Sequence, residues 1–163
     1  MANVAGWMRD HFVTRFTLRS SMPEDAEFIY GVSELTMRQH VEATGKRWAT
    51  ERMREKCGND ARDANTKIVL VDDRNAGVYA AFERDGAYWI DMLFLMPDVQ
   101  KQGIGTALVA SARTVAERRS LPIRIQVLST NPAKEFWAAR GFLVTSLEGL
   151  VYVMESAAPS DAA

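Results

Sequence analysis

The sequence predicts an α/β fold, a mixed sheet with helices on its faces, and three patterns point to it. The longest apolar run, residues 87–96, has the composition of a central strand buried on both faces, and Pro97 stops it. After it, Ile104, Leu108, Ser111 and Val115 recur at the spacing of an amphipathic helix over about 103–119. Before it, Asp85-Gly86 separates two strand-like runs; the pair suits a type I′ turn, which needs φ > 0 at both positions.

The remaining elements follow in chain order. Residues 15–19 suit a first strand. Ser21-Met-Pro-Glu24 has the spacing of a capping box, with Pro23 in the first helical turn, and a helix then runs to about Ala43, where Gly45 ends it. A second helix spans about 48–57. After Gly58 the pattern turns to strands at 68–71 and 77–84, separated by the turn-like Asp72-Asp-Arg-Asn75. Beyond the central strand and its helix, Ile123, Ile125 and Val127 alternate with Arg124 and Gln126, a half-buried strand. A short helix covers 132–140, and strands at 142–147 and 150–155 pair around Glu148-Gly149. The order is β-α-α-β-β-β-α-β-α-β-β.

Composition narrows the functions. The 163 residues suffice for one domain with a substantial core, taken as 15–155 between an N-terminal extension (1–14) and a disordered tail (156–163). A net charge of −1 supplies no field for nucleic acid or an anionic membrane, and the basic residues from Lys46 to Lys67 are interrupted by acids as on a solvated face. Cys57 is the sole cysteine, and neither His11 nor His40 has a recognisable relation to it, so it reads as a small residue near a helix end. Two histidines make a metal site an unexpected feature. With no signal-like or membrane-length apolar run, the cytoplasm is the expected compartment.

The chemistry concentrates in Gln100-Lys-Gln-Gly-Ile-Gly105, a short loop feeding a helix N-terminus. Its glycines let the backbone approach a ligand, and the free N–H groups of a first helical turn favour an anion, so a phosphate-bearing ligand fits. A dinucleotide fingerprint would need Gly or Ala where Leu108 stands, and the G-x-x-x-x-G-K-[ST] nucleotide loop is absent. A plain strand-to-helix turn is the alternative.

The flanks decide between them. Leu93-Phe-Leu-Met-Pro97, then Q-x-x-G-x-G, then Asn131-Pro-Ala and Gly141-Phe142 follow one another on strand, loop, helix, strand and helix. This ordered set resembles the GNAT superfamily of acetyl-CoA-dependent N-acetyltransferases, and Gln126-Val-Leu-Ser-Thr-Asn-Pro-Ala133 is similar to one bacterial-type branch. The resemblance covers 15–155, although before residue 67 it rests on element order. It implies a mostly antiparallel sheet whose fourth and fifth strands splay apart to admit the pantetheine arm of CoA.

It also implies roles. Main-chain groups of Leu93, Phe94 and Leu95 pair with the arm, and the N–H near Leu95 points at the thioester carbonyl as oxyanion donor. Gln100, Lys101, Gln102, Gly103, Ile104, Gly105 and Thr106 wrap the pyrophosphate. Gln100 stands where many relatives carry arginine, and Lys101 where they often carry glycine. Asn131 reads as a helix N-cap, and by resemblance also as a contact to the cofactor arm. Where relatives often place a tyrosine that protonates the leaving thiolate, this chain has Trp137, expected to pack along the arm. Tyr152, Tyr88 or water are the substitutes, with Tyr152 the candidate acid.

Asp91 is the only charged residue in the central run. It reads either as the general base, its pKa raised by burial, or as a structural carboxylate; Glu34 is a second candidate base. The expected reaction is transfer of an acetyl group to a primary amine that docks near Tyr30 and Glu34. The acceptor is a small molecule or peptide, with neither nucleic acid nor membrane as partner, and the resemblance leaves a homodimer open. A non-catalytic acyl-CoA-binding module is the rival, and an ATP- or NAD-binding protein the third reading.

Overall fold

The computed structural model describes residues 13–158. Its elements are β1 (Thr17–Ser20), α1 (Ala26–Ala43), α2 (Thr50–Arg62), β2 (Thr66–Val71), β3 (Arg74–Arg84), β4 (Ala87–Leu95), α3 (Ile104–Arg118), β5 (Ile123–Leu128), α4 (Ala133–Ala138), β6 (Leu143–Glu148) and β7 (Val151–Ser156), in the predicted order. They build a seven-stranded sheet ordered β1-β2-β3-β4-β5-β7-β6. Every neighbouring pair is antiparallel except β4 and β5, which the α3 crossover makes parallel. One apolar layer joins the sheet to α3 and α4 through Ile104, Leu108, Val109, Ile125, Trp137 and Phe142. The other joins it to α1 and α2 through Ile29, Val32, Cys57, Ile68, Val78 and Met92.

The hairpins follow the chemistry of their turns. Asp85 and Gly86 take φ of 49° and 72° between the paired Arg84 and Ala87, as a type I′ turn requires. Asp72 and Asp73, at 50° and 59°, do the same between Val71 and Arg74, so the turn is tighter than the predicted four residues. In the last hairpin Glu148 pairs with Val151, which places the turn on Gly149-Leu150, one residue later than expected.

Several elements depart from expectation for local reasons. A 3-10 turn at Pro23–Asp25 precedes α1, and its closing acid is Asp25, whose carboxylate accepts from the Met22 N–H at 2.8 Å. Ser21 donates instead to the Ala61 carbonyl, at 2.9 Å. Helix α2 continues through Gly58 because Cys57 and Ala61 bury the same face and Arg62 donates to the Gly58 carbonyl at 2.8 Å. The roughly 1 kcal/mol penalty of a mid-helix glycine is smaller than what that face gains by burial. The buried stripe of α3 is Ile104, Leu108, Val109, Ala112 and Ala116, with Ser111 exposed, so Ala112 and Ala116 face inward where Ser111 was expected to.

Of the predicted extension, residues 1–12 lie outside the described residues, as do 159–163 of the predicted tail. Thr14 is tied into the domain by its N–H bond to the Gln102 carbonyl at 3.0 Å. Ser156, predicted to begin the tail, is buried in β7 and accepts a bond from Arg113.

Candidate acyl-carrier site

The site begins with a fault in the sheet. Strands β4 and β5 share only the register pairs Tyr88–Ile123 and Trp89–Arg124, yet β4 continues to Leu95 and β5 to Leu128. They therefore part company and leave a gap that widens along both. The cause lies on the other side of β4, where Ala80 pairs with Met92 and Ala81 with Ile90, so Asp91 has no partner opposite. Such a bulge bends and twists the strand that carries it. It also switches the facing of side chains. Ile90 and then Leu93 and Leu95 pack toward α3, while Met92 and Phe94 pack toward α1 and α2. Leu93, Phe94 and Leu95 end up half-buried along the gap.

Beyond the gap the chain turns into α3. A 3-10 turn at Pro97–Val99 leads to Gln100, whose side-chain amide donates to the Leu95 carbonyl at 2.9 Å. Gln102 braces the loop from within, donating to the Asp98 carbonyl at 2.8 Å and accepting the Thr14 hydroxyl at 2.7 Å. Lys101 is exposed at φ 59° and Gly103 takes 84°, two left-handed residues that fold the loop back to the helix start. The first bond of the helix ladder runs from the Ala107 N–H to the Gly103 carbonyl, at 3.0 Å. The N–H groups of Ile104, Gly105 and Thr106 thus precede the ladder, at the positive end of the helix. Gly105 also has a packing reason, since a Cβ there would lie 3.3 Å from the Phe136 ring.

On the far side of the gap, Asn131 stands two residues before α4, whose N-cap is Pro132 rather than the predicted Asn131. The Asn131 side-chain oxygen accepts from the Ala133 N–H at 2.9 Å, and its amide lies 3.6 Å from the Met37 sulfur. Trp137 is buried between Phe136 and Phe142, edge-on to both at centroid distances of 5.1 and 5.2 Å. The indole is thus part of the α3-side core, in the same apolar layer as Leu93, Leu95 and Tyr152.

A sheet parted between β4 and β5, with a glycine loop and an open helix start at the wide end, is the setting the motif order implied. The acetyltransferase (GNAT) domain model matches residues 32–151. The chain belongs to the GNAT family. The fold agrees with solved GNAT structures at low identity. The PaiA N-acetyltransferase of Thermoplasma acidophilum, in complex with coenzyme A, is 18% identical with a TM-score of 0.72 over 88% of this chain and 99% of that one. An acetyltransferase of Thermus thermophilus gives 18% and 0.67 over 89% and 98%. Ard1 of Thermoplasma volcanium gives 16% and 0.62 over 86% and 95%. No curated protein matches the sequence.

In this GNAT domain the candidate catalytic groups are placed unevenly. Asp91, expected to be buried, is exposed at the bulge. Tyr30 is buried: its hydroxyl donates to Glu34 at 2.5 Å and accepts from the Trp48 indole at 3.2 Å, and the Arg54 guanidinium lies 4.1 Å over its ring. Tyr30 therefore positions Glu34 rather than offering its own hydroxyl outward. Glu34 borders a surface groove with Gly31, Leu35, Arg38, Gln39 and Glu42. Tyr152 sits on β7 opposite Val127, half-buried, with the Lys134 ammonium 4.4 Å over its ring. Tyr88 lies at the closed end of the gap, and burial pushes its phenol up against the opposing pull of Arg119.

The sequence reading missed Arg140. It follows α4 and reaches back to α3, where its guanidinium donates to the Thr106 hydroxyl at 2.6 Å. Among the described residues no helix is long and apolar enough to cross a membrane.

Proposed function

We propose that this GNAT domain transfers the acetyl group of acetyl-CoA to a primary amine by direct attack in a ternary complex. The observation that carries the reading is the gap between β4 and β5, opening onto the unladdered N–H groups of Ile104, Gly105 and Thr106. A single extended arm ending in a diphosphate would occupy both, its negative end at the positive end of the helix. The coenzyme A present in the Thermoplasma PaiA structure supports the same occupant.

Acetyl-CoA supplies an activated thioester; the chain's residues place it and manage protons. Main-chain groups of Leu93, Phe94 and Leu95 align the arm, and the Leu95 N–H stands as donor to the carbonyl oxygen, a contribution of about 3 kcal/mol in comparable sites. The amine nitrogen forms the new bond to the carbonyl carbon as the carbon–sulfur bond breaks and its electron pair leaves with the thiolate. The amine's surplus proton passes to Asp91 at the bulge, or by way of Glu34 in the groove beside α1. Tyr152 is the candidate donor to the thiolate, because it shares the apolar layer of Leu93 and Leu95, whereas Tyr88 lies at the closed end.

A second reading is favoured by Trp137, which fills the usual position of the acid with a buried indole. In that reading the domain binds acyl-CoA and performs no transfer. A thiol-release assay with acetyl-CoA over a panel of amino acids, polyamines and peptide N-termini separates the two. Amine-dependent release supports the transferase; saturable CoA binding with no release on any amine supports the binding module.

A further inference from the structure

The loop around α3 is short of positive charge for a diphosphate. From Pro97 to Thr106 its only cation is Lys101, which is exposed, and Gln100 directs its amide to the Leu95 carbonyl. The start of α3 adds roughly half a charge.

Arg140 stands beside that helix start and is held there on several sides. Its Nη2 donates to the Thr106 hydroxyl at 2.6 Å and its Nη1 to the Phe136 carbonyl at 2.7 Å. The guanidinium stacks on the Phe136 ring at 3.5 Å, and the same ring lies against Gly105. Thr106 is the third residue of α3, so the guanidinium lies beside an N–H group that precedes the ladder. Yet Arg140 lacks a counter-ion among the described residues. Arg19, Arg54 and Arg124 each pair with a carboxylate, at 2.8, 2.5 and 2.7 Å, whereas none pairs with Arg140 among the described residues. Its Nε is buried without any hydrogen-bond partner among the described residues, and burial holds the guanidinium below its usual pKa. A partly desolvated cation without an anion is an unfavourable arrangement unless a ligand completes it. The planar fork suits phosphate oxygens.

We infer that Arg140 is a cationic contact to the diphosphate of acyl-CoA, supplying from the end of α4 the charge that the α3 loop lacks. The inference rests on the acyl-CoA reading above and adds to it a residue outside the loop.

Calorimetric titration of CoA and of dephospho-CoA, which keeps the diphosphate and lacks the 3′-phosphate, tests it with wild type, Arg140→Gln and Arg140→Lys. Arg140→Gln is expected to weaken both ligands by the same factor, about 10- to 100-fold, the range for losing one charge-assisted contact. Arg140→Lys is expected to recover part of that loss for both. Melting of the ligand-free proteins checks the fold. If Arg140→Gln does not fold, Arg140→Met, whose stem still packs on Phe136, carries the same expectation. Wild-type affinity in the neutral variants overturns the inference, as does a loss confined to CoA, which would assign Arg140 to the 3′-phosphate. A wild type that binds neither ligand overturns the acyl-CoA reading itself.

Discussion

Asp25 closes the entry to α1. Its carboxylate takes the Met22 N–H and two bonds from Arg19, each at 2.8 Å, and the Arg19 bonds hold its pKa below the usual carboxylate range. A depressed folded pKa contributes stability that is present above the unfolded value, near 4, and lost as pH falls through the folded one. Asp25→Asn should lower stability at pH 7 by about 2 kcal/mol and flatten the acid side of the stability–pH curve, read by denaturant melts from pH 2 to 7. At Asp91 the test is kinetic. If it takes the amine proton, Asp91→Asn lowers thiol release about 100-fold or more. An unchanged rate would shift that role to Glu34. Three residues of the site were unequally legible. Asp91 stood out as the lone charge in an apolar run, but its exposure depends on a bulge set by pairing with β3. Trp137 was legible as a departure from the family pattern. Arg140 was not, because its meaning depends on Thr106, 34 positions away.

The bulged β4 and its partner β3 set the width of the gap. Gly77 pairs with Leu95, and a Cβ on Gly77 would lie 2.5 Å from the Phe94 carbonyl oxygen and 2.7 Å from a Leu95 methyl. Backbone has little room to yield there. Gly77→Ala should destabilise the fold by about 2 kcal/mol and weaken CoA binding through the displaced Phe94–Leu95 segment, measured by melting and titration. A variant with both quantities unchanged would mean that this stretch of β4 does not set the site. Helix α3 offers a cleaner probe of the loop than its glycines. Gly103 is at φ 84° with Val13 only 3.1 Å from an added Cβ, so any substitution there strains the fold as well as the site. The Asp85-Gly86 hairpin was read well from sequence because Asp-Gly carries its own backbone preference, whereas the Asp72-Asp73 turn was read too long and the last turn one residue early. Helix ends and faces were read less well. Gly58 stays helical because Cys57 and Ala61 are buried around it, and Ser111 turns outward because Ala112 packs inward, both decided by tertiary packing.

Across the whole molecule, the proposed cofactor side is built into the sheet's topology, while the proposed acceptor side is left to α1 and α2. The parallel β4–β5 step and the α3 crossover place the gap and the helix start together, and that order of elements was readable from residue 67 onward. The proposed acceptor side was barely readable, since no sequence motif announces the bonds that hold the Tyr30 hydroxyl between Trp48 and Glu34. The most direct test of the account is calorimetric titration of acetyl-CoA and of ATP into wild type and Thr106→Glu. Thr106 is exposed at the third position of α3, where a glutamate suits the helix dipole but repels a diphosphate. The account predicts that wild type binds acetyl-CoA more tightly than ATP, and that Thr106→Glu keeps its melting temperature while losing at least about 10-fold in acetyl-CoA affinity. Tighter binding of ATP, or unchanged acetyl-CoA affinity in the variant, would contradict it.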